Sequence, residues 1–335
     1  MGLNIIIESN IPFAQGLLEP YAQVSYLPPH LITPEAMRDA DALITRTRTR
    51  CDAALLDGSR CSIIASATIG LDHVDREYCR GRGIEVANAP GCNAPAVAQY
   101  VLASIIAAYG TNLSGLTIGI VGVGHVGSIV ERWAAQSGMN VLRCDPPRAE
   151  SEGSGLFVDI DEIAHRADII TFHTPYTRTG KHATHHICDD AFLGKLQRRP
   201  MIINSARGAI VETDALKAAI ESGRVSRAVI DCWEGEPDID RQLLAQAFIA
   251  TPHIAGYSRQ GKIRATQMAV NAVARHFALP CPVMSEQVPE GAATNVTTKA
   301  IADSYNPLAD TEELRMSPDK FEHLRNHYHL REEVI

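Results

Sequence analysis

The chain has 335 residues, 45% hydrophobic and 21% charged, which excludes a wholly disordered chain or a continuous coiled coil and suggests about two domains. Its 31 Lys+Arg against 39 Asp+Glu give a formal charge of −8, so no global basic field attracts nucleic acid. The apolar run Val97 to Tyr109, interrupted by Gln99 and Ser104, is too short for a bilayer, and the first ten residues lack the basic start of a secretory leader.

The eight cysteines contain no CxxC pair and read as reduced, mostly buried thiols, so a cytoplasmic location is expected, with no membrane and no nucleic-acid partner. In chain order, short β-rich runs fall at Asn4–Glu8, Val24–Leu27, Ala42–Arg46, Ile63–Thr68 and Glu85–Ala89, separated by helical patterns or turn clusters. That rhythm predicts βαβ units and a parallel sheet. Asn93 can cap a helix with Pro95 in its first turn, which runs through Val97, Val101, Ile105 and Ala108 until Ser114-Gly115 breaks it.

A second α/β series follows, with strands at Thr117–Val121, Asn140–Asp145, Asp168–His173, Met201–Ser205 and Arg227–Asp231, and a shorter candidate at Phe248–Thr251. Gly261–Leu279 reads as a long helix that could pack back on the first domain and make it discontinuous. Residues 281–300 are polar and rich in Pro, Gly and Thr, as a linker is, and Ser317-Pro318 opens a last helical stripe at Phe321, Leu324, Tyr328 and Leu330 or Arg331.

Gly122-Val-Gly-His-Val-Gly127 matches G-x-G-x-x-G, a weak signal alone among 24 glycines. Here the strand TIGIV precedes it, the helical run Val126–Gln136 follows, and the next strand ends in Asp145. The glycines Gly122, Gly124 and Gly127 allow the turn and admit a pyrophosphate, and the helix start at His125 and Val126 favours its negative charge. Asp145 would accept hydrogen bonds from the adenosine ribose and repel a 2′-phosphate, favouring NAD over NADP, although Arg143 and Arg148 flank it.

Three later segments place polar groups at strand ends, where open α/β sheets bind ligands: Asn204-Ser-Ala-Arg207-Gly208, Asp231-Cys-Trp-Glu234-Gly-Glu236-Pro237 and Thr251-Pro-His253-Ile-Ala-Gly256. With these in order from about residue 3 to 280, the sequence resembles the D-2-hydroxyacid dehydrogenases. The resemblance implies a Rossmann-type doubly wound NAD domain at 96–255, a flavodoxin-like discontinuous substrate domain at 1–95 and 256–280, and a short C-terminal α+β tail at 281–335. That tail would be a linker and a shortened dimerisation segment, so a homodimer is expected.

The resemblance makes Arg207, Glu236 and His253 the catalytic set. The residue types suit the chemistry. A neutral imidazole, which titrates near pH 6.5, can take a hydroxyl proton; a carboxylate orients it and favours its protonated form. A guanidinium offers a planar fork to a substrate carboxylate and to the developing 2-oxo oxygen.

Ala67-Thr-Ile-Gly-Leu-Asp-His-Val-Asp75, Ala89-Pro-Gly-Cys-Asn-Ala94, Cys144-Asp-Pro-Pro-Arg148, Thr171-Phe-His-Thr-Pro175 and His253-Ile-Ala-Gly-Tyr257 are similar to a branch of that family acting on a phosphorylated 2-hydroxy acid. This implies substrate contacts at Thr47, Thr68 and Tyr257, and cofactor contacts at Asp145, Thr174, Asp231 and Gly256. A phosphate dianion needs a cationic pocket, for which Arg46 and Arg48 are candidates, and the backbone N–H groups at Ile69-Gly70 could hold the substrate carboxylate. No metal site is expected, since His182, His185 and His186 lie in a polar loop without supporting ligands. Two other readings stay open: a sister dehydrogenase for phosphoglycerate, glycerate or hydroxypyruvate, and a non-catalytic NAD-sensing protein on the same fold.

Overall fold

The computed structural model describes residues 2–289 and 291–334. The chain forms two compact units, residues 2–93 with 259–289, and residues 94–258 with 291–334.

In the first unit, β1 (Asn4–Glu8), β2 (Gln23–Leu27), β3 (Ala42–Thr45), β4 (Ile63–Ser66) and β5 (Glu85–Ala87) form one sheet in the order β2-β1-β3-β4-β5. All pairings are parallel. β3 and β4 are buried along their whole length, as an apolar run covered on both faces should be. The helix Arg259–His276 puts Ala265, Ala269, Val270 and Val273 into the core with Ile5, Ile7 and Ile44, so the first unit is completed by a later piece of chain. Met37, Leu43, Leu56 and Ile64 make a second cluster on that sheet.

In the second unit, β6 (Thr117–Val121), β7 (Asn140–Cys144), β8 (Ile169–Phe172), β9 (Met201–Asn204), β10 (Arg227–Ile230) and β11 (Ile249–Ala250) lie in the order β11-β10-β9-β8-β6-β7, again all parallel. Both orders reverse direction beside their first strand, at β1/β3 and at β6/β8, and crevices at such reversals are where open sheets bind ligands. The Phe248–Thr251 run shrinks to two strand residues because Thr251 and Pro252 already belong to the turn that presents His253.

The helix Ala94–Tyr109 is buried from Ala94 through Ile106, on more than one face. Two helices absent from the sequence reading, Thr298–Ser304 and Pro307–Met316, pack against it. The stretch read as a linker is docked at its end. Ala292, Ala293 and Thr294 offer carbonyls to Arg132, Trp133 and Gln136, with Trp133 Nε1 2.9 Å from Ala293 O. The last stripe forms only the short helix Phe321–Asn326, and its Phe321 is 1% exposed, in the core of its own unit. Among the described residues of the tail, the β content is one parallel bridge, Ser258 to Arg331. No disulfide joins any of the eight cysteines, and only Cys281 is exposed.

Candidate active site

The turn after β6 sits at the β6/β8 reversal, and two of its glycines, Gly122 and Gly127, are required by close backbone approach. Gly122 has φ +89°, and a Cβ there would lie 2.8 Å from the His173 carbonyl carbon and the Thr174 nitrogen. A Cβ on Gly127 would lie 2.1 Å from the Gly122 oxygen, so the helix His125–Gln136 starts directly against the turn. Gly124 has nothing within 4 Å of its own Cβ position, which leaves open space over the exposed helix start at His125.

Asp145, at the end of β7, accepts from Val123 N at 2.8 Å and Arg148 N at 3.1 Å, which fixes its carboxylate beside that turn. The flanking arginines are both committed to carboxylates, Arg143 to Glu131 at 3.0 Å and Arg148 to Glu152 at 2.7 Å. Neither is disposed to capture a 2′-phosphate. Thr174 Oγ1 and Ser205 Oγ are buried without a partner among the described residues. An open cradle over Gly124, a fixed acidic residue and two unsatisfied hydroxyls fit a dinucleotide, which Gly122, Gly124, Gly127 and Asp145 would hold.

The candidate catalytic residues follow β9, β10 and β11. His253 Nδ1 lies 2.8 Å from Glu236 Oε2 and 3.1 Å from Oε1, with the side chains 25% and 19% exposed. Glu236 Oε1 also accepts from Trp233 N at 2.8 Å. Burial pushes the Glu236 carboxyl up, but its bonds to His253 and Trp233 outweigh that and hold it below the ordinary carboxylate range. An ionised Glu236 accepts only, so the His253 Nδ1 carries hydrogen and Nε2 is left as the acceptor.

The two glutamates of the WEGEP segment diverge. Glu234 accepts from Thr213 N at 2.9 Å and pairs with His186 at 2.6 Å, leaving Glu236 as the partner of His253. That contact also gives His186 a structural place in the histidine cluster.

His253 has φ +57°, unusual for a side-chain-bearing residue and a cost that the surroundings must enforce. Asp231 does so. Its buried carboxylate accepts from Thr251 Oγ1 and Ile254 N at 2.7 Å each and from Ala255 N at 3.0 Å. Burial raises the Asp231 carboxyl despite these donors and the nearby imidazole. Asp231, read from the sequence as a cofactor contact, is thus seen holding the histidine turn. Gly256 and Tyr257 complete that turn, Tyr257 N donating to Ile254 O at 2.8 Å.

Arg207 is half-buried, with Nη1 donating to Ala206 O at 2.8 Å. Asn204, which opens the segment that the sequence singles out without giving this amide a role, organises this loop. Asn204, 1% exposed, donates to Arg207 O at 2.9 Å and Cys232 O at 3.3 Å, and accepts from Ala206 N at 3.2 Å. The signal was present, an amide at the end of an apolar strand before a turn. The Cys232 thiol is driven far up by burial and by Asp231 and Glu236, so it stays protonated and is no nucleophile.

In the first unit, Arg46 and Thr47 follow β3 while Thr68 and Gly70 follow β4, so neighbouring strands bring these four residues to one edge. Thr68 Oγ1 is 2.7 Å from Ser66 Oγ and 3.2 Å from Gly70 O. Glu8, which the sequence reading did not single out, is the anchor of the first loop. At the end of β1, its Oε2 accepts from Thr45 Oγ1 and Arg46 N at 3.1 Å each and from Thr49 Oγ1 at 3.2 Å. Arg46 Nη1 reaches Asn10 O at 3.3 Å, while Thr47 and Arg48 are exposed.

Comparison with known proteins adds to this geometry. Residues 97–255 match the family model described as D-isomer specific 2-hydroxyacid dehydrogenase, NAD binding domain. The chain is 45% identical to an erythronate-4-phosphate dehydrogenase of Bacteroides thetaiotaomicron, covering 99% of this chain and 97% of that one. It is 41% identical to one of Porphyromonas gingivalis, covering 98% and 94%. Among solved structures, D-lactate dehydrogenase from Aquifex aeolicus, complexed with NAD and lactic acid, aligns with TM-score 0.69 and 25% identity over 82% of this chain and 96% of that one. The TT0316 protein from Thermus thermophilus aligns with TM-score 0.71 and 29% identity over 84% and 100%.

Proposed function

The chain belongs to the D-isomer-specific 2-hydroxyacid dehydrogenases, and from that premise we propose that it oxidises 4-phospho-D-erythronate with NAD. The product would be 2-oxo-3-hydroxy-4-phosphobutanoate, an intermediate of pyridoxal 5′-phosphate (vitamin B6) biosynthesis. The observation that carries the substrate is the nearly end-to-end similarity to relatives named erythronate-4-phosphate dehydrogenase.

The nicotinamide of NAD, when bound, supplies the acceptor for the hydride leaving carbon-2. His253 Nε2 takes the hydroxyl proton as the carbon–oxygen double bond forms, and Glu236 stabilises the imidazolium that results. Arg207 holds the substrate carboxylate and the developing oxo oxygen through its planar fork. Asp231 keeps the histidine turn in its strained conformation, so the base is oriented before substrate arrives. Thr47, Thr68, Tyr257 and the Gly70 backbone are assigned to substrate, with the phosphate given to Arg46.

Arg46→Ala then raises KM about tenfold for the phosphorylated acid and much less for erythronate, as expected on losing one charge-assisted contact. Steady-state kinetics on both acids check this, and equal changes remove Arg46 from the phosphate role. The decisive assay for the function is NADH formation from 4-phosphoerythronate beside 3-phosphoglycerate and glycerate. Preference for another acid moves the chain to a sister activity; no turnover with any of them favours an NAD-sensing binding protein.

Mostly buried cysteines without disulfides support a cytoplasmic location, and no helix among the described residues is long and apolar enough to cross a membrane. The homodimer rests on the family resemblance, since the apolar side chains of the C-terminal stripe that the structure buries are covered within their own unit.

A further inference from the structure

The C-terminal segment brings another cation to the catalytic cluster. Arg325, in the helix Phe321–Asn326, has Nη1 3.9 Å from Glu236 Oε2 and 3.6 Å from Glu322 Oε1, with its side chain 17% exposed. It also hydrogen-bonds Tyr257. Glu236 Oε2 is the oxygen nearest His253 Nδ1, so guanidinium and imidazole share one carboxylate atom.

The surrounding contacts fix this arrangement. The Tyr328 ring meets the Tyr257 ring nearly edge-on at 6.2 Å. Buried Arg331 donates to the carbonyls of Ala96, Ile254, Ala255 and Tyr257, and Ser258 Oγ donates to Glu333 at 2.6 Å. The turn that follows His253 is therefore braced by residues 331–333.

We propose that Arg325 is a positioning residue of the dehydrogenation, acting through Glu236 on the proton affinity of His253 and through Tyr257 on substrate placement. The inference rests on reading His253 as the proton acceptor. A fixed cation on the carboxylate shared with the imidazole opposes a second positive charge there, so its removal should favour the protonated ring. The other charged and titratable groups in this cluster are Glu236 at Nδ1, the Asp231 carboxyl, the Cys232 thiol, Arg207 from the loop after β9, and Glu322 on the helix of Arg325.

The test compares wild type, Arg325→Gln and Arg325→Lys, with the His253 imidazole titrated by 15N NMR and the pH profile of kcat/KM recorded on whichever acid turns over. Arg325→Gln should move the His253 midpoint and the acidic limb up by about half a pH unit or more. Arg325→Lys should leave both in place while raising KM, because it keeps the charge and loses the planar guanidinium that hydrogen-bonds Tyr257. A midpoint unmoved in Arg325→Gln, or moved equally in both variants, overturns the proposal. If Arg325→Gln does not fold, a displaced midpoint in Arg325→Lys does the same. The NMR arm needs no turnover, so failure of the dehydrogenase reading and failure of this inference are separate results.

Discussion

His253→Ala lowers kcat by about 10²- to 10⁴-fold, the range expected for removing a positioned general base. The structure leaves one atom for that task, because Nδ1 is held by Glu236 and only Nε2 is left to accept a proton. NADH affinity should change little, since the residues fitted to the dinucleotide lie on the turn after β6 and at the end of β7. Alanine at φ +57° bears the same backbone strain, so the substitution does not relax the turn that Asp231 fixes. Steady-state turnover alongside NADH fluorescence titration checks both halves. Turnover close to wild type would end the assignment of His253 as the base.

Gly208→Ala should damage activity and stability together. Its Cβ would lie 2.0 Å from the Trp233 oxygen, 2.1 Å from the Trp233 carbonyl carbon and 2.5 Å from the Glu234 nitrogen, all backbone atoms. No rotamer relieves such a contact. Either the segment after Arg207 or the turn carrying Glu236 must move. A displacement of about 1 Å at a catalytic group can cost on the order of 10²-fold in rate, and overpacking typically costs about 1–3 kcal/mol. The expected result is a fall in kcat/KM of at least about 10²-fold together with a lower Tm. Wild-type values of both would mean that the two backbones can part without disturbing the site.

Most strands of both sheets were legible as apolar runs bounded by turn residues, because strands buried on both faces need such runs. The nucleotide turn was legible for a related reason: the close approaches at Gly122 and Gly127 admit no side chain. Arg207, Glu236 and His253 could be named from the resemblance because each sits in a compact local motif, and the geometry gives the choice of Glu236 over Glu234 a physical basis. What stayed hidden depends on partners distant along the chain. Glu8 ends an ordinary strand until Thr45, Arg46 and Thr49 fold onto it. Gln99 looks like a stray polar residue in an apolar helix until Ser304 Oγ and Glu332 O accept from its amide, the former at 2.9 Å. Arg325 gives no signal of its own, being one basic residue in a charged helix.

The brace on the histidine turn also imposes an order on the birth of the molecule. Residues 254–258 leave the ribosome before the helix Arg259–His276 that completes the first unit, and well before Arg331 and Glu333. A nascent chain can thus finish the first sheet's core while the turn beside His253 still lacks its lock. By the same logic, proteolytic loss of residues 331–334 would disarm the turn while leaving every strand and the proposed catalytic set covalently intact.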